Sequence, residues 1–140
     1  MTDEKTLIRE ALKMRRFSYS PYSHFRVGAA LLDKQGNIHT GCNIENSAFS
    51  PSNCAERTAF FKAVSEGIRE FEAIAIVGGP EGATELDYCA PCGVCRQVMR
   101  EFCDDDFKII LARTEEEYKV FTLSELLPQS FFADLSGGEK

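Results

Sequence analysis

Three thiols and one carboxylate come from two short stretches far apart in the chain, Cys54-Ala55-Glu56 and Pro91-Cys92-Gly93-Val94-Cys95. Each stretch lies where a helix is predicted to open. Three thiolates around one ion with a fourth position left free are the coordination of a catalytic zinc. Taken alone, Cys92 and Cys95 fit a metal site and a redox dithiol equally, because both use Cys-x-x-Cys. The third cysteine and the neighbouring acid favour the metal. Zinc lowers the pKa of a bound water toward roughly 7. Glu56 would take that proton and pass it to the ring as hydroxide attacks an electrophilic carbon, and would help protonate the leaving amine.

Three thiolates leave Zn²⁺ with a net negative charge, which weakens its pull on water. Two helix starts offset this with their partial positive charge, and Arg57 could bond a ligand sulfur, with Gln97 orienting Arg57. Glu56 also has a plainer reading, as the capping-box partner of Asn53 three residues before it.

Positioning these groups requires two helices that begin at one edge of a sheet. The spacing predicts that arrangement. Leu7, Ile8, Ala11, Leu12 and Met14 recur at helical period over residues 3–16. Ser18 to Ser23, interrupted by Pro21, break the helix. Residues 25–32 read as a strand, 33–36 as a turn, and 37–43 as the returning arm. A loop of turn formers spans 44–52. A helix follows from about Cys54, with Asn53 as N-cap and Gly67 as stop. Residues 71–78 read as a strand, and a second helix opens near Pro91 and runs to Phe102. Strands at 107–112 and 118–122 and one helical turn near 124–127 complete the chain. Crossovers of fixed handedness then bring both helix starts to the carboxyl edge.

The chain's 140 residues suit one domain over 1–140. A net charge of -6 argues against a polynucleotide partner, which is held through Lys and Arg. No apolar run reaches the ~20 residues of a membrane span. Met1 to Lys5 lack the basic start and apolar stretch of an export signal, so a cytoplasmic location is expected. In that reducing setting six cysteines are better read as ligands and thiols than as disulfides.

At these residues the chain resembles the zinc-dependent cytidine deaminase family, in its short homotetrameric class. The resemblance runs from about Tyr19 to Phe131. It includes Tyr19-Ser20-Pro21-Tyr22-Ser23, Gly41-Cys42-Asn43-Ile44-Glu45-Asn46, Cys54-Ala55-Glu56-Arg57-Thr58-Ala59 and Pro91-Cys92-Gly93-Val94-Cys95-Arg96-Gln97. His-x-Glu followed by Pro-Cys-x-x-Cys, or its all-cysteine variant, is the signature of zinc deaminases. The resemblance implies an α/β fold, a three-layer α/β/α sandwich around a mixed five-stranded sheet. It also implies hydrolytic deamination of cytidine and 2'-deoxycytidine with release of ammonia in pyrimidine salvage, one Zn²⁺ per subunit, and a free pyrimidine nucleoside as substrate.

The same resemblance assigns roles at matching positions. Cys54, Cys92 and Cys95 hold the metal, and Glu56 is catalytic. Asn43 and Glu45 hold the ribose hydroxyls, and Phe25 stacks on the base. The Ala55 N-H meets the C2 carbonyl, and the Ala90 carbonyl meets the 4-amino group. Phe131 completes a pocket shared between subunits of a homotetramer. One departure is Asn46-Ser47-Ala48-Phe49, where many relatives read Asn-Ala-Ser-Tyr. Cys42, Cys89 and Cys103 read as free thiols, His24 and His39 as surface or turn residues, and Asp104 to Asp106 as an acidic turn. Two rivals remain: a structural zinc joining two helices, and an enzyme acting on a cytosine-containing antibiotic nucleoside.

Overall fold

A computed structural model describes residues 3–133 and 135. Helix α1 (Glu4–Met14) opens on Asp3, whose side chain accepts from the Thr6 N-H at 2.9 Å. Its apolar stripe, Leu7, Ile8 and Ala11, is buried. The predicted last turn tightens into a 3-10 segment at Arg15–Phe17. Strands β1 (Phe25–Asp33) and β2 (Ile38–Cys42) follow, then α2 (Ala55–Ser65), β3 (Phe71–Pro80), α3 (Gly93–Phe102), β4 (Lys108–Ala112), β5 (Tyr118–Thr122) and the short α4 (Leu123–Leu126).

The five strands form one sheet in the order β2-β1-β3-β4-β5. Strand β1 is antiparallel to both neighbours, β3 and β4 are parallel, and β5 runs back against β4. Strands β2 and β3 therefore point the same way, and α2 and α3 start from the same edge. Ala55, Ala59, Phe60 and Ala63 of α2 and Met99 of α3 pack on one face with Ile74, Ile76 and Ile109. Helix α1 covers the other face against Ala30, Ala75, Val77 and Ile110. Helices on both faces of a mixed sheet give the expected three layers.

Glycine sets how closely one helix approaches. A Cβ built on Gly41 of β2 would lie 2.5 Å from the Ala55 carbonyl oxygen and 2.6 Å from the Ala59 nitrogen. Only the missing side chain lets the start of α2 rest on the strand.

The β1-β2 turn is built on Asp33, which is 2% exposed. Its carboxylate accepts from the N-H groups of Gln35 and Asn37 at 2.8 and 3.0 Å and pairs with His39 Nε2 at 2.9 Å. His39 is thus a largely buried partner of Asp33 and not a surface residue. A buried carboxylate requires such bonds, and the turn's backbone alone does not supply them all.

Candidate metal centre and active site

Both helices at the shared edge begin on a cysteine. Cys54 is the N-cap of α2, in extended conformation, and Cys92 is the N-cap of α3. Asn53, the expected cap, is drawn instead into a two-way backbone bridge with Ile44 (2.9 and 2.8 Å). That pairing holds it extended one residue too early, so α2 opens after Cys54. Likewise α3 opens at Gly93, two residues beyond Pro91. The Cys92 sulfur accepts the N-H of Cys95 at 3.4 Å.

The three sulfurs converge. Cys54 Sγ lies 3.8 Å from Cys92 Sγ, Cys92 Sγ lies 3.5 Å from Cys95 Sγ, and all three fall within 4.8 Å of one another. Cys95 is buried, Cys54 partly so, and Cys92 exposed. Among the described residues no histidine or carboxylate joins this group. Hydrogen bonding from Cys95, then from Arg57, pulls the Cys54 thiol down to about 5, and the same bond pushes Cys95 up. The group therefore already carries a thiolate near neutral pH. Three soft, converging donors with at least one negative charge fit zinc and not magnesium or calcium.

Arg57, in the first turn of α2, donates from Nη2 to Cys54 Sγ at 3.3 Å, as expected. Gln97 does not orient it. Its amide donates to the Phe131 carbonyl at 3.1 Å, and Arg57 Nε is buried with no hydrogen-bond partner among the described residues.

Glu56 is 4% exposed. Burial pushes its carboxyl up to about 7, and the charge on Cys54 adds to the effect. A carboxyl with that pKa can both take and give a proton under neutral conditions. Its capping-box alternative fails, because Asn53 is not the cap and its amide donates to Thr58 Oγ1 at 3.3 Å.

Glu56, Cys54 and Cys92 face a cavity of about 530 Å³, whose walls also include Asn43, Glu45, Ala55 and Ala90. That volume lies within the range of small-molecule sites. Asn43 is heavily committed: its Oδ1 accepts from the Val27 N-H (2.9 Å) and from Ser18 Oγ, and its Nδ2 donates to the Phe25 carbonyl (2.8 Å). One amide N-H remains. Glu45 accepts from the Ser23 hydroxyl and from the N-H groups of Ser23 and Tyr22, bonds that hold its carboxyl below the usual range.

Phe25 is 38% exposed and stands outside the cavity walls; Val27, on the same strand face, lines them. Phe131 is 79% exposed and also outside. Sequence reasoning missed Val27 and Cys89 as wall residues. Two signals were present, the period of two along β1 and the position of Cys89 next to Ala90. Burial pushes the Cys89 thiol up to about 11, so it faces the cavity uncharged.

Comparison with known proteins places this geometry. Residues 1–111 match the family model described as the cytidine and deoxycytidylate deaminase zinc-binding region. The cytidine deaminase of Sporosarcina psychrophila is 50% identical over 129 residues, covering 92% of this chain and 91% of that protein. That of Halalkalibacterium halodurans is 48% identical over 132 residues, covering 94% and 96%. The crystal structure of cytidine deaminase from Burkholderia pseudomallei superposes with a TM-score of 0.84 at 42% identity, covering 93% of this chain and all of that one. A shared domain, this level of identity and the three-sulfur centre beside a buried acid agree: the chain belongs to the zinc-binding cytidine and deoxycytidylate deaminase family.

Proposed function

We propose that the protein deaminates cytidine and 2'-deoxycytidine hydrolytically, with Cys54, Cys92 and Cys95 holding zinc and Glu56 moving the proton. One observation carries this reading: the buried carboxyl of Glu56 borders the same cavity as Cys54 and Cys92, two of three convergent sulfurs. Bound zinc supplies Lewis acidity that makes a water reactive near neutral pH.

The chain's own groups do the rest. Glu56 accepts one proton of the attacking water and delivers it to the ring nitrogen, then takes the second proton from the added hydroxyl and passes it to the amine as the C-N bond breaks and the carbonyl forms. Its burial keeps bulk water from buffering that transfer. The Ala55 N-H donates to the C2 carbonyl, and the Ala90 carbonyl accepts from the 4-amino group. The remaining N-H of Asn43 donates to a sugar hydroxyl, which in turn donates to the Glu45 carboxylate. Phe25 closes the rim over the base, supported by its place on the strand face of Val27. Phe131, exposed on the chain alone, reaches a neighbouring subunit's pocket in a homotetramer. The single domain works in the cytoplasm on free nucleosides, in pyrimidine salvage. Among the described residues no helix is long and apolar enough to cross a membrane.

The antibiotic-nucleoside alternative draws on a blasticidin-S deaminase of Bacillus cereus at 30% identity, against 50% and 48% for the two cytidine deaminases. The test is the ultraviolet absorbance of cytidine with zinc-loaded protein. Wild type turns it over, and Glu56→Gln keeps its zinc and loses on the order of 10²- to 10⁴-fold in kcat. Absence of turnover by folded, zinc-loaded wild type would refute the cytidine reading and leave the antibiotic-nucleoside and structural-metal readings, which turnover of blasticidin S separates.

A further inference from the structure

We infer that Arg96 is a positioning residue for the metal loop, tying Pro91-Cys92 to α4 so that the hold on zinc depends on the docking of that short helix. The inference rests on the reading of Cys54, Cys92 and Cys95 as zinc ligands. Cys92 is the most exposed of the three and follows a long polar loop. Its backbone needs a brace.

Arg96 supplies one from both ends of the residue. Its N-H donates to the Cys92 carbonyl at 3.0 Å, and its Nε donates to the Pro91 carbonyl at 2.7 Å. The peptide groups on either side of the Cys92 Cα are therefore held by a single residue in the first turn of α3. The same guanidinium reaches elsewhere: Nη1 donates to the Leu126 carbonyl at 2.7 Å. A guanidinium is a rigid planar fork, so anchoring Nη1 fixes the direction of Nε.

Leu126 ends α4, which has four residues and no stability of its own. It is held by buried Leu123 and by a capping box, in which Thr122 Oγ1 accepts the Glu125 N-H at 3.3 Å and the Glu125 carboxylate accepts the Thr122 N-H at 2.7 Å. Further along α3, Gln97 holds the Phe131 carbonyl and the Arg100 guanidinium lies 4.9 Å from the centre of the Phe132 ring. One helix thus presents two ligands at its start and grips the C-terminal segment along its side. Arg96 is where the two meet.

The test is the rate at which zinc passes from the loaded protein to an excess of chromophoric chelator, with metal content measured beforehand. Arg96→Ala is expected to speed release by about tenfold or more, the range for losing a residue that orients a ligand. Arg96→Lys, whose ammonium meets one carbonyl at a time, falls between it and wild type. Thr122→Ala, far from the metal, speeds release by a smaller factor. The Arg96→Ala/Thr122→Ala pair releases no faster than Arg96→Ala alone, because the link is already cut. Asp33→Asn, at the opposite end of the sheet, lowers the melting temperature without changing release.

Wild-type release from Arg96→Lys or Thr122→Ala overturns the inference, as does acceleration by Asp33→Asn equal to that of Thr122→Ala. If Arg96→Ala does not fold, those comparisons still decide. A wild type that carries no stoichiometric zinc refutes the ligand reading instead, and the two failures are distinguishable.

Discussion

Gly41→Ala separates the site from the stability of the sheet. The new Cβ would meet two backbone atoms of α2 at 2.5 and 2.6 Å and the Thr58 Cβ at 3.1 Å, whereas ordinary contact begins near 3.4 Å. Backbone cannot rotate aside as a flexible side chain can. The start of α2 must therefore back away from β2 by roughly 0.9 Å. Overpacking of this kind costs about 1–3 kcal/mol, or roughly 3–9 °C in melting temperature for a domain of this size.

The displaced segment carries Cys54 and Glu56, while Cys92 and Cys95 stay with α3. A shift near 1 Å exceeds the ~0.2 Å tolerance of metal-ligand distances and costs about 10²-fold in a reaction that depends on placement. Zinc content and cytidine turnover should both fall by more than the melting temperature implies. Leu7→Ala is the control, because it empties space in α1 on the other face of the sheet. It should cost about 2–5 kcal/mol and leave zinc binding and turnover intact in the folded fraction. Gly41→Ala with wild-type zinc content and turnover would refute the reasoning, as would equal loss of zinc in Leu7→Ala.

Arg57→Ala removes the donor 3.3 Å from Cys54 Sγ. Less charge is then withdrawn from the sulfurs, so kcat should fall by about 10- to 100-fold and the acidic limb of the pH-rate profile should move to higher pH. An unchanged profile would show that Arg57 only packs. At Asp33, burial works against ionisation, but the bonds from His39, Asn37 and Gln35 prevail and hold its carboxyl below the usual range. A depressed pKa contributes stability that is complete above the unfolded value and is lost as pH falls through the folded one. The stability gap between wild type and Asp33→Asn, measured by denaturant unfolding, should therefore be widest near neutrality and narrow on going to about pH 3.

What could be read from the sequence was whatever local pattern controls. The stripe of Leu7, Ile8 and Ala11, the alternation of short apolar strands with helices, and the two cysteine motifs all act within a turn or two of chain. They predicted the order of helices and strands and the convergence of Cys54, Cys92 and Cys95, while the three-layer arrangement was implied by the family resemblance. The errors lie where a distant segment competes for a local group. Asn53 is a good cap by composition, yet Ile44 claims its backbone. Gln97 stands one turn from the metal loop, yet its amide donates to the Phe131 carbonyl. The burial of His39 depends on Asp33 six residues earlier, at the far side of a turn. Phe25 and Val27 share a strand face, and only the closing of the cavity by other loops decides which of them lines it.

The two N-caps break a local rule together. Ser, Thr, Asp and Asn are the side chains that satisfy a helix's first N-H groups, and cysteine is a poor substitute. Among the described residues the Cys54 side chain makes no capping bond, and Cys92 accepts the Cys95 N-H at 3.4 Å through sulfur, a weaker acceptor than a hydroxyl oxygen. These helix starts are capped weakly, and on the proposed ligand assignment a bound zinc would offset that by holding the sulfurs at which both helices begin. The sign of Cys92→Ser should therefore depend on the metal. In chelator, serine offers the Cys95 N-H a shorter bond and should stabilise the protein by about 0.5–1 kcal/mol. In zinc the same change removes a thiolate ligand and should lower the melting temperature below that of the loaded wild type. Paired melts, each with and without chelator, check the reversal. If Cys92→Ser is less stable than wild type in both conditions, the sulfur is already an adequate cap and the helix starts hold no reserve for the ion to release.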